Sequence, residues 1–222
     1  GIRDYKVTGV QTCSLPIFVV ADGSRQILFR AAGPALTALG LTGAMADPAL
    51  EVYRDQARQA ANDSWAPALA PVFASVGAFA FPADSRDAAL VQPLDAAYSV
   101  QVRGTGAGVV LVEAYDTGAV TAARMVNVSA RNQVGTGDDI LIAGFNLSGP
   151  GAKPLLIRAV GPTLGGFGVA GVLTDPQLEI FDQSGVRVAQ NDNWSESLAS
   201  LFGTVGAFAL TAGSRDAALV VS

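Results

Sequence analysis

Two stretches of this chain spell out the same residues in the same order, so whatever fold the chain adopts must hold that frame twice. The first runs Ile27-Leu28-Phe29-Arg30, Gly33-Pro34, Asp47-Pro48, Asn62-Asp63-Ser64-Trp65, Gly77-Ala78-Phe79 and Ser85-Arg86-Asp87-Ala88-Ala89-Leu90. The second runs Leu155-Leu156-Ile157-Arg158, Gly161-Pro162, Asp175-Pro176, Asn191-Asp192-Asn193-Trp194, Gly206-Ala207-Phe208 and Ser214-Arg215-Asp216-Ala217-Ala218-Leu219. The offset is 128 residues between Arg30 and Arg158 and 129 between Trp65 and Trp194. One residue has therefore been gained or lost between Tyr53 and Asn62, as a loop allows. Solenoid repeats recur every ~20–50 residues, so this longer period implies two whole domains in tandem.

Each half of the 222 residues is long enough to bury its own core. Half the residues are apolar and 15% are charged, which argues against disorder. The 25 glycines and 11 prolines favour many turns over long helices. A net charge of -5 without a basic cluster gives no footprint for nucleic acid or an anionic membrane. No apolar run approaches the ~20 residues of a spanning helix. Histidine is absent, which removes Ser-His-Asp triads, Cys-His dyads and histidine metal sites. Cys13 is the single cysteine, so no internal disulfide forms. No enzyme is expected.

Period-two alternation carries the fold expectation. Tyr98, Val100 and Val102 alternate with Ser99, Gln101 and Arg103, and Gly104–Gly108 then leads into Val109–Tyr115 as a hairpin. Further hairpins are expected around Ala21–Ser24 and, through Asp182-Gln183-Ser184-Gly185, between Leu178–Phe181 and Val186–Val188. Strands are also expected at Leu50–Tyr53, Ala78–Phe81, Asp87–Val91, Arg124–Ala130 and, after a turn at Gly135–Asp139, Ile140–Phe145. Ala31–Ala46 reads as a loop with one short helical turn. Short strands separated by glycine turns imply an all-β fold of antiparallel jelly-roll or β-sandwich modules in tandem.

The segment Val7–Cys13 with Leu15-Pro16-Ile17 resembles the translation of a sequencing-library adapter, Ser14 being the one departure. Residues 1–17 are therefore expected to be foreign to the modules. The first module is placed at 18–123 and the second at 124–222. The second copy stops at Ser222 without counterparts of Tyr98–Tyr115, so it is expected to be C-terminally truncated and to leave an unpaired sheet edge.

Asp63, Asp182, Asp192 and Asn193 supply the hard oxygen atoms that calcium takes, and they form the one candidate metal set; no other cofactor is expected. The plainer reading makes Asn-Asp an Asx-type turn with Trp65 and Trp194 as core anchors. Arg86, Asp87, Arg215 and Asp216 are likewise structural anchors, each Arg holding Asp63 or Asp192. Arg30 and Arg158, in apolar strands, are expected to pair with carboxylates such as Glu51 and Glu179. Gly104–Gly108 and Gly161–Gly171 lack the strand-to-helix setting and Gly-Lys-Ser/Thr ending of a phosphate loop. Glu113 with Asp116, and Glu51 with Asp47, are the carboxylate pairs that a glycosidase could use.

The order Leu178-Glu179-Ile180-Phe181-Asp182, Gly185, Asn191-Asp192-Asn193-Trp194 and Asp216–Leu219, with Tyr98–Gly104 and Gly108–Asp116, resembles the bacterial pre-peptidase C-terminal-like domains. It is also similar to tandem modules of large secreted or surface proteins. The resemblance implies a jelly-roll sandwich that serves as a non-catalytic appendage, in some members binding calcium or carbohydrate. The acidic run of the calcium-binding members is thinned here to Asn-Asp-Asn and Asn-Asp-Ser. The expected role is a structural or adhesive repeat of a secreted or cell-surface protein, whose partners are neighbouring domains of the same polypeptide. The alternative is a carbohydrate-binding module that stacks sugars on Trp65, Trp194 or Tyr98.

Overall fold

A computed structural model describes residues 2–7, 17–118, 124–132, 134–135, 137, 140–147 and 150–222. The chain forms two compact units, Gly1–Ser148 and Gly149–Ser222, both built from antiparallel strands and single-turn or slightly longer helices.

The first unit contains β1 (Ile2–Val7), β2 (Ile17–Ala21), β3 (Arg25–Ala32), α1 (Pro34–Ala38), β4 (Pro48–Arg54) and β5 (Ala57–Asn62). It continues with α2 (Ala70–Ser75), β6 (Ala88–Leu94), β7 (Ala97–Gly104), β8 (Val110–Asp116), β9 (Arg124–Ser129) and β10 (Ile142–Ala143). Two five-stranded sheets result, in the orders β10-β1-β8-β3-β6 and β5-β4-β7-β2-β9. Their alternate side chains meet in one core: Ile27, Phe29, Ala31, Val112 and Ala114 from the first sheet, Phe18, Leu50, Val52, Tyr98 and Val100 from the second. This is the all-β sandwich expected from the alternation of Tyr98, Val100 and Val102.

The sheet containing β3 is buried on its second face too. There Leu28, Ala32, Ala89 and Tyr115 pack under Ala35 and Leu36 of α1, Phe73 of α2, Trp65 and Phe81. Burial on both faces explains why β3 reads as a continuous apolar run rather than an alternating one. The outer face of the other sheet carries Glu51, Tyr53, Gln101 and Arg103, as a solvated face should.

Several local expectations are corrected. β7 and β8 do not form a hairpin: β7 lies between β4 and β2, and β8 between β1 and β3, in opposite sheets. The glycine loop joining them crosses from sheet to sheet, pressed against Met45, where a Cβ on Gly104 or Gly108 would collide. Met45 N–H donates to the Val109 carbonyl (2.8 Å). Likewise β2 and β3 flank the turn at Asp22-Gly23 without pairing, and each joins a different sheet. Ala78–Phe81 is not a strand, because its aromatic rings turn onto the covered face of β3. Only Ile142–Ala143 of the Ile140–Phe145 run is paired. Positions 136, 138 and 139 of the turn before it lie outside the described residues.

Arg124–Ser129, assigned from sequence to the second module, pairs with β2 inside the first unit. Within the segment read as foreign, the backbone of Ile2–Val7 pairs with β8 and Ile17 opens β2. Residues 8–16, Cys13 among them, lie outside the described residues.

The second unit contains β11 (Leu155–Ala159), α3 (Pro162–Gly165), β12 (Leu178–Phe181), β13 (Arg187–Asn191), α4 (Ala199–Thr204) and β14 (Ala217–Val221). β12 and β13 form the expected hairpin, and β11 pairs with β14. The register repeats that of the first unit: Arg158 faces Ala218 as Arg30 faces Ala89, and Ile157 faces Leu219 as Phe29 faces Leu90. Phe202, Leu210 and Ala218 form a smaller core against Leu156, Val160 and Trp194.

Candidate functional site

The repeated polar residues converge behind β3 and β11. Asp87, wholly buried at the start of β6, accepts N–H bonds from Gly33 (2.7 Å) and Ala35 (3.1 and 3.2 Å to its two oxygens). Asp216 does the same for Gly161 (2.7 Å) and Thr163 (3.3 Å), and also accepts the hydroxyls of Thr163 and Ser214 (2.6 Å). Gly-Pro turns the chain from β3 or β11 into a one-turn helix whose first amides lack intrahelical partners, and the carboxylate supplies them. Burial opposes the charge of Asp216. The Ser214 and Thr163 hydroxyls and the two amides outweigh it and hold the carboxyl below its ordinary value.

The other frame residues fasten loops. Asn62 donates to the Ser64 carbonyl (2.8 Å) and accepts from Ala89 N–H (2.9 Å); Asn191 donates to Asn193 (2.9 Å) and accepts from Ala218 (2.9 Å). This is the Asx-type turn expected, with its carbonyl reaching across to β6 or β14. The backbone N–H groups of Trp65 and Trp194 donate to the carbonyls of Asp87 and Asp216, 2.8 Å in each case. Trp65 stacks on Phe73 with centroids 5.3 Å apart, and Trp194 packs on Phe202 at 5.4 Å. Arg86 and Arg215 pair with Asp47 and Asp175, each at 2.8 Å, and not with Asp63 or Asp192 as expected. The signal was available, since Asp-Pro recurs in both copies alongside Ser-Arg-Asp.

Arg30 is 0% exposed and Glu113, opposite it on β8, 2%. Arg30 Nε lies 3.3 Å from Glu113 Oε2, and the Tyr115 hydroxyl donates to Glu113 Oε1 (2.5 Å). The guanidinium sits 4.4, 4.4 and 4.0 Å from the ring centroids of Phe73, Phe79 and Phe81. Glu51, the partner expected from sequence, instead holds Arg58 and Arg103. The Tyr53 hydroxyl, with those two arginines, keeps the Glu51 carboxyl below its ordinary value against the cost of burial. Glu113 was legible only as a charge inside the apolar run of β8, matching Arg30 inside that of β3, while Asp116 and Arg25 stand at the ends of their strands and pair there.

The expected calcium ligands are not gathered. Asp182 sits in the β12–β13 turn, where its carboxylate accepts from Ser184 and Val186. The register pairs Leu178 with Asn191, so Asp192 and Asn193 lie beyond the hairpin's other end, about four residue pairs or ~13 Å along the strands. Ligand distances of ~2.3–2.6 Å cannot bridge that span. Asp63 is exposed in the first unit. Among the described residues no three acidic side chains form a metal-holding group.

Of the expected stacking platforms, two are buried and one is half-buried. Trp65 is 7% and Tyr98 6% exposed, with Trp194 half-buried. The recess lined by Trp65, Phe73 and Phe81 measures about 120 Å³, well below the ~300 Å³ at which small-molecule pockets begin. The carboxylates weighed as glycosidase pairs have cationic partners: Glu113 holds Arg30, Asp116 Arg25, Glu51 Arg58 and Arg103, Asp47 Arg86.

The chain matches no protein-family model, no curated protein and no solved structure.

Proposed function

We propose that the chain is a non-catalytic structural or adhesive repeat of a larger secreted or cell-surface bacterial protein, working beside neighbouring domains of the same polypeptide. One observation carries this reading. The buried Asp, the Asn and the Arg that recur in both copies make the same internal bonds at nearly the same lengths: 2.7 Å from Gly33 or Gly161 to the buried Asp, 2.9 Å from Ala89 or Ala218 to the Asn, 2.8 Å from Arg to Asp. A repeat that keeps a ligand site spends its repeated polar groups on the ligand, whereas these are spent on turns and strand connections.

Titration of a panel of soluble oligosaccharides against the tryptophan fluorescence of the whole chain tests the reading. The structural role expects no saturable change. A saturable response abolished by Trp194→Ala would replace it with the carbohydrate-binding alternative.

A further inference from the structure

Three glycines of the first unit close on one residue, Met45. Gly33, after β3, approaches the Met45 carbonyl so closely that a Cβ there would collide with its oxygen. Gly104 and Gly108, at the two ends of the loop that crosses between the sheets, press on the same residue. The Met45 sulfur fills the place that a Gly104 Cβ would need, and a Cβ on Gly108 would lie 2.7 Å from the Met45 Cα. The backbone is pinned as well: Val109 accepts from Met45 N–H and donates to the Gly43 carbonyl, both at 2.8 Å. The Met45 side chain packs against the sandwich core, yet the residue is only half-buried and solvent reaches it. In the second unit Leu173 holds the equivalent place, its carbonyl meeting Gly161 as that of Met45 meets Gly33.

We propose that Met45 is an oxidation site, where a peroxide converts the thioether to the sulfoxide and so loosens the crossing from β7 to β8. A sulfur lone pair attacks one peroxide oxygen, the S–O bond forms as the O–O bond breaks, and hydrogen peroxide departs as water. The sulfur loses two electrons and the peroxide gains them, turning a flexible apolar side chain into a polar one. The added oxygen needs room and a hydrogen-bond donor. Beside this sulfur the room is taken by Gly104, and the core that the side chain packs on is apolar. The sulfoxide is therefore accommodated only by moving the crossing loop away. The start of β8 moves with it, because Val109 is bonded to Met45, and β8 carries Glu113 to its place opposite Arg30. Leu173 has no sulfur to oxidise, so peroxide acts at this position on the first unit and not on the second. Met125, the other methionine of the chain, lies in β9 and pairs with Val20.

The test adds hydrogen peroxide to the whole chain carrying Cys13→Ser and Met125→Leu, which leaves Met45 as its one sulfur. Peptide mass spectrometry follows the added oxygen, and Trp65 fluorescence in a Trp194→Phe background follows urea unfolding of the first unit. The expected result is one oxygen at Met45 and a fall of roughly 1 M in that unit's midpoint, the size of one overpacked group. This measurement leaves Met45 unmutated, so it stands whether or not a substitution there folds. With Met45→Leu, the residue of the second copy, and Met125 restored, the same treatment should leave the midpoint in place. Trp194 fluorescence in a Trp65→Phe background should show no shift in the second unit. Met45 left unmodified by peroxide that fully oxidises free methionine, a sulfoxide without a change in midpoint, or an equal fall in the Met45→Leu chain overturns the proposal.

Discussion

Glu113→Gln is the sharpest perturbation of the first unit. The substitution keeps shape and leaves an oxygen for the Tyr115 hydroxyl, but it strips the counter-charge from a guanidinium that is 0% exposed. Breaking one side of a buried ion pair costs about 3–5 kcal/mol, because the remaining charge stays desolvated. Three aromatic faces within 4.4 Å of Arg30 soften the loss by about 2 kcal/mol at most, and they act in the parent as well. With a urea slope of ~1–3 kcal/mol/M, the midpoint should fall by roughly 1–3 M. The two units can be read separately, since Trp65 lies in the first and Trp194 in the second. In a Trp194→Phe background, fluorescence follows the first unit alone. The double variant Arg30→Met, Glu113→Leu removes both charges into an apolar setting and should recover most of the loss. A single substitution costing under about 1 kcal/mol, or a double variant as unstable as the two singles summed, would refute the buried pairing.

Three further outcomes are expected. Gly33→Ala and Gly161→Ala drive a Cβ into the carbonyl oxygens of Met45 and Leu173, so each should destabilise its own unit by about 1–3 kcal/mol in urea unfolding, and a neutral effect would contradict the close approach. Asp216 titrates below its ordinary value when folded, so the stability it contributes is full above about pH 4 and disappears as pH falls through the lower folded value; Trp194 unfolding midpoints against pH should show that acid decline, and Asp216→Asn should flatten it. Calcium to millimolar concentration should leave both thermal transitions in place, because Asp182 and Asp192 sit at opposite ends of one hairpin; a concentration-dependent rise in the second would contradict that separation.

What the sequence shows of this fold depends on how far apart the partners are. The repeat itself exposes the frame, and the alternation of Tyr98, Val100 and Val102 correctly gives the buried face of β7. Compact turns with both strands in one sheet are visible too, as in Asp182–Gly185 between β12 and β13. Hidden from it is which sheet a strand joins after a turn. Gly104–Gly108 reads the same whether the next strand folds back or crosses the sandwich, and only the contact with Met45 distinguishes them. The Arg30–Glu113 pair spans the sequence from β3 to β8, so local pattern cannot assign it, and the nearer Glu51 looks as good. Phe79 and Phe81 have the apolar spacing of a strand but serve as a lid on Arg30, an arrangement set by tertiary packing. The calcium residues are dispersed for a related reason: Asp182 and Asp192 are close in sequence, while the β12–β13 register places them at the two ends of a hairpin.

The central claim is that the polar groups written into both copies hold the fold instead of contacting a ligand. Asp87→Asn and Asp216→Asn test it together. Each exchange puts an amide NH2 against backbone N–H donors that the carboxylate now accepts, at a cost of about 1–3 kcal/mol for the unsatisfied groups. Asp87→Asn should lower the Trp65 transition and leave that of Trp194 unchanged, and Asp216→Asn should do the reverse. Unchanged urea midpoints in both variants would contradict the claim.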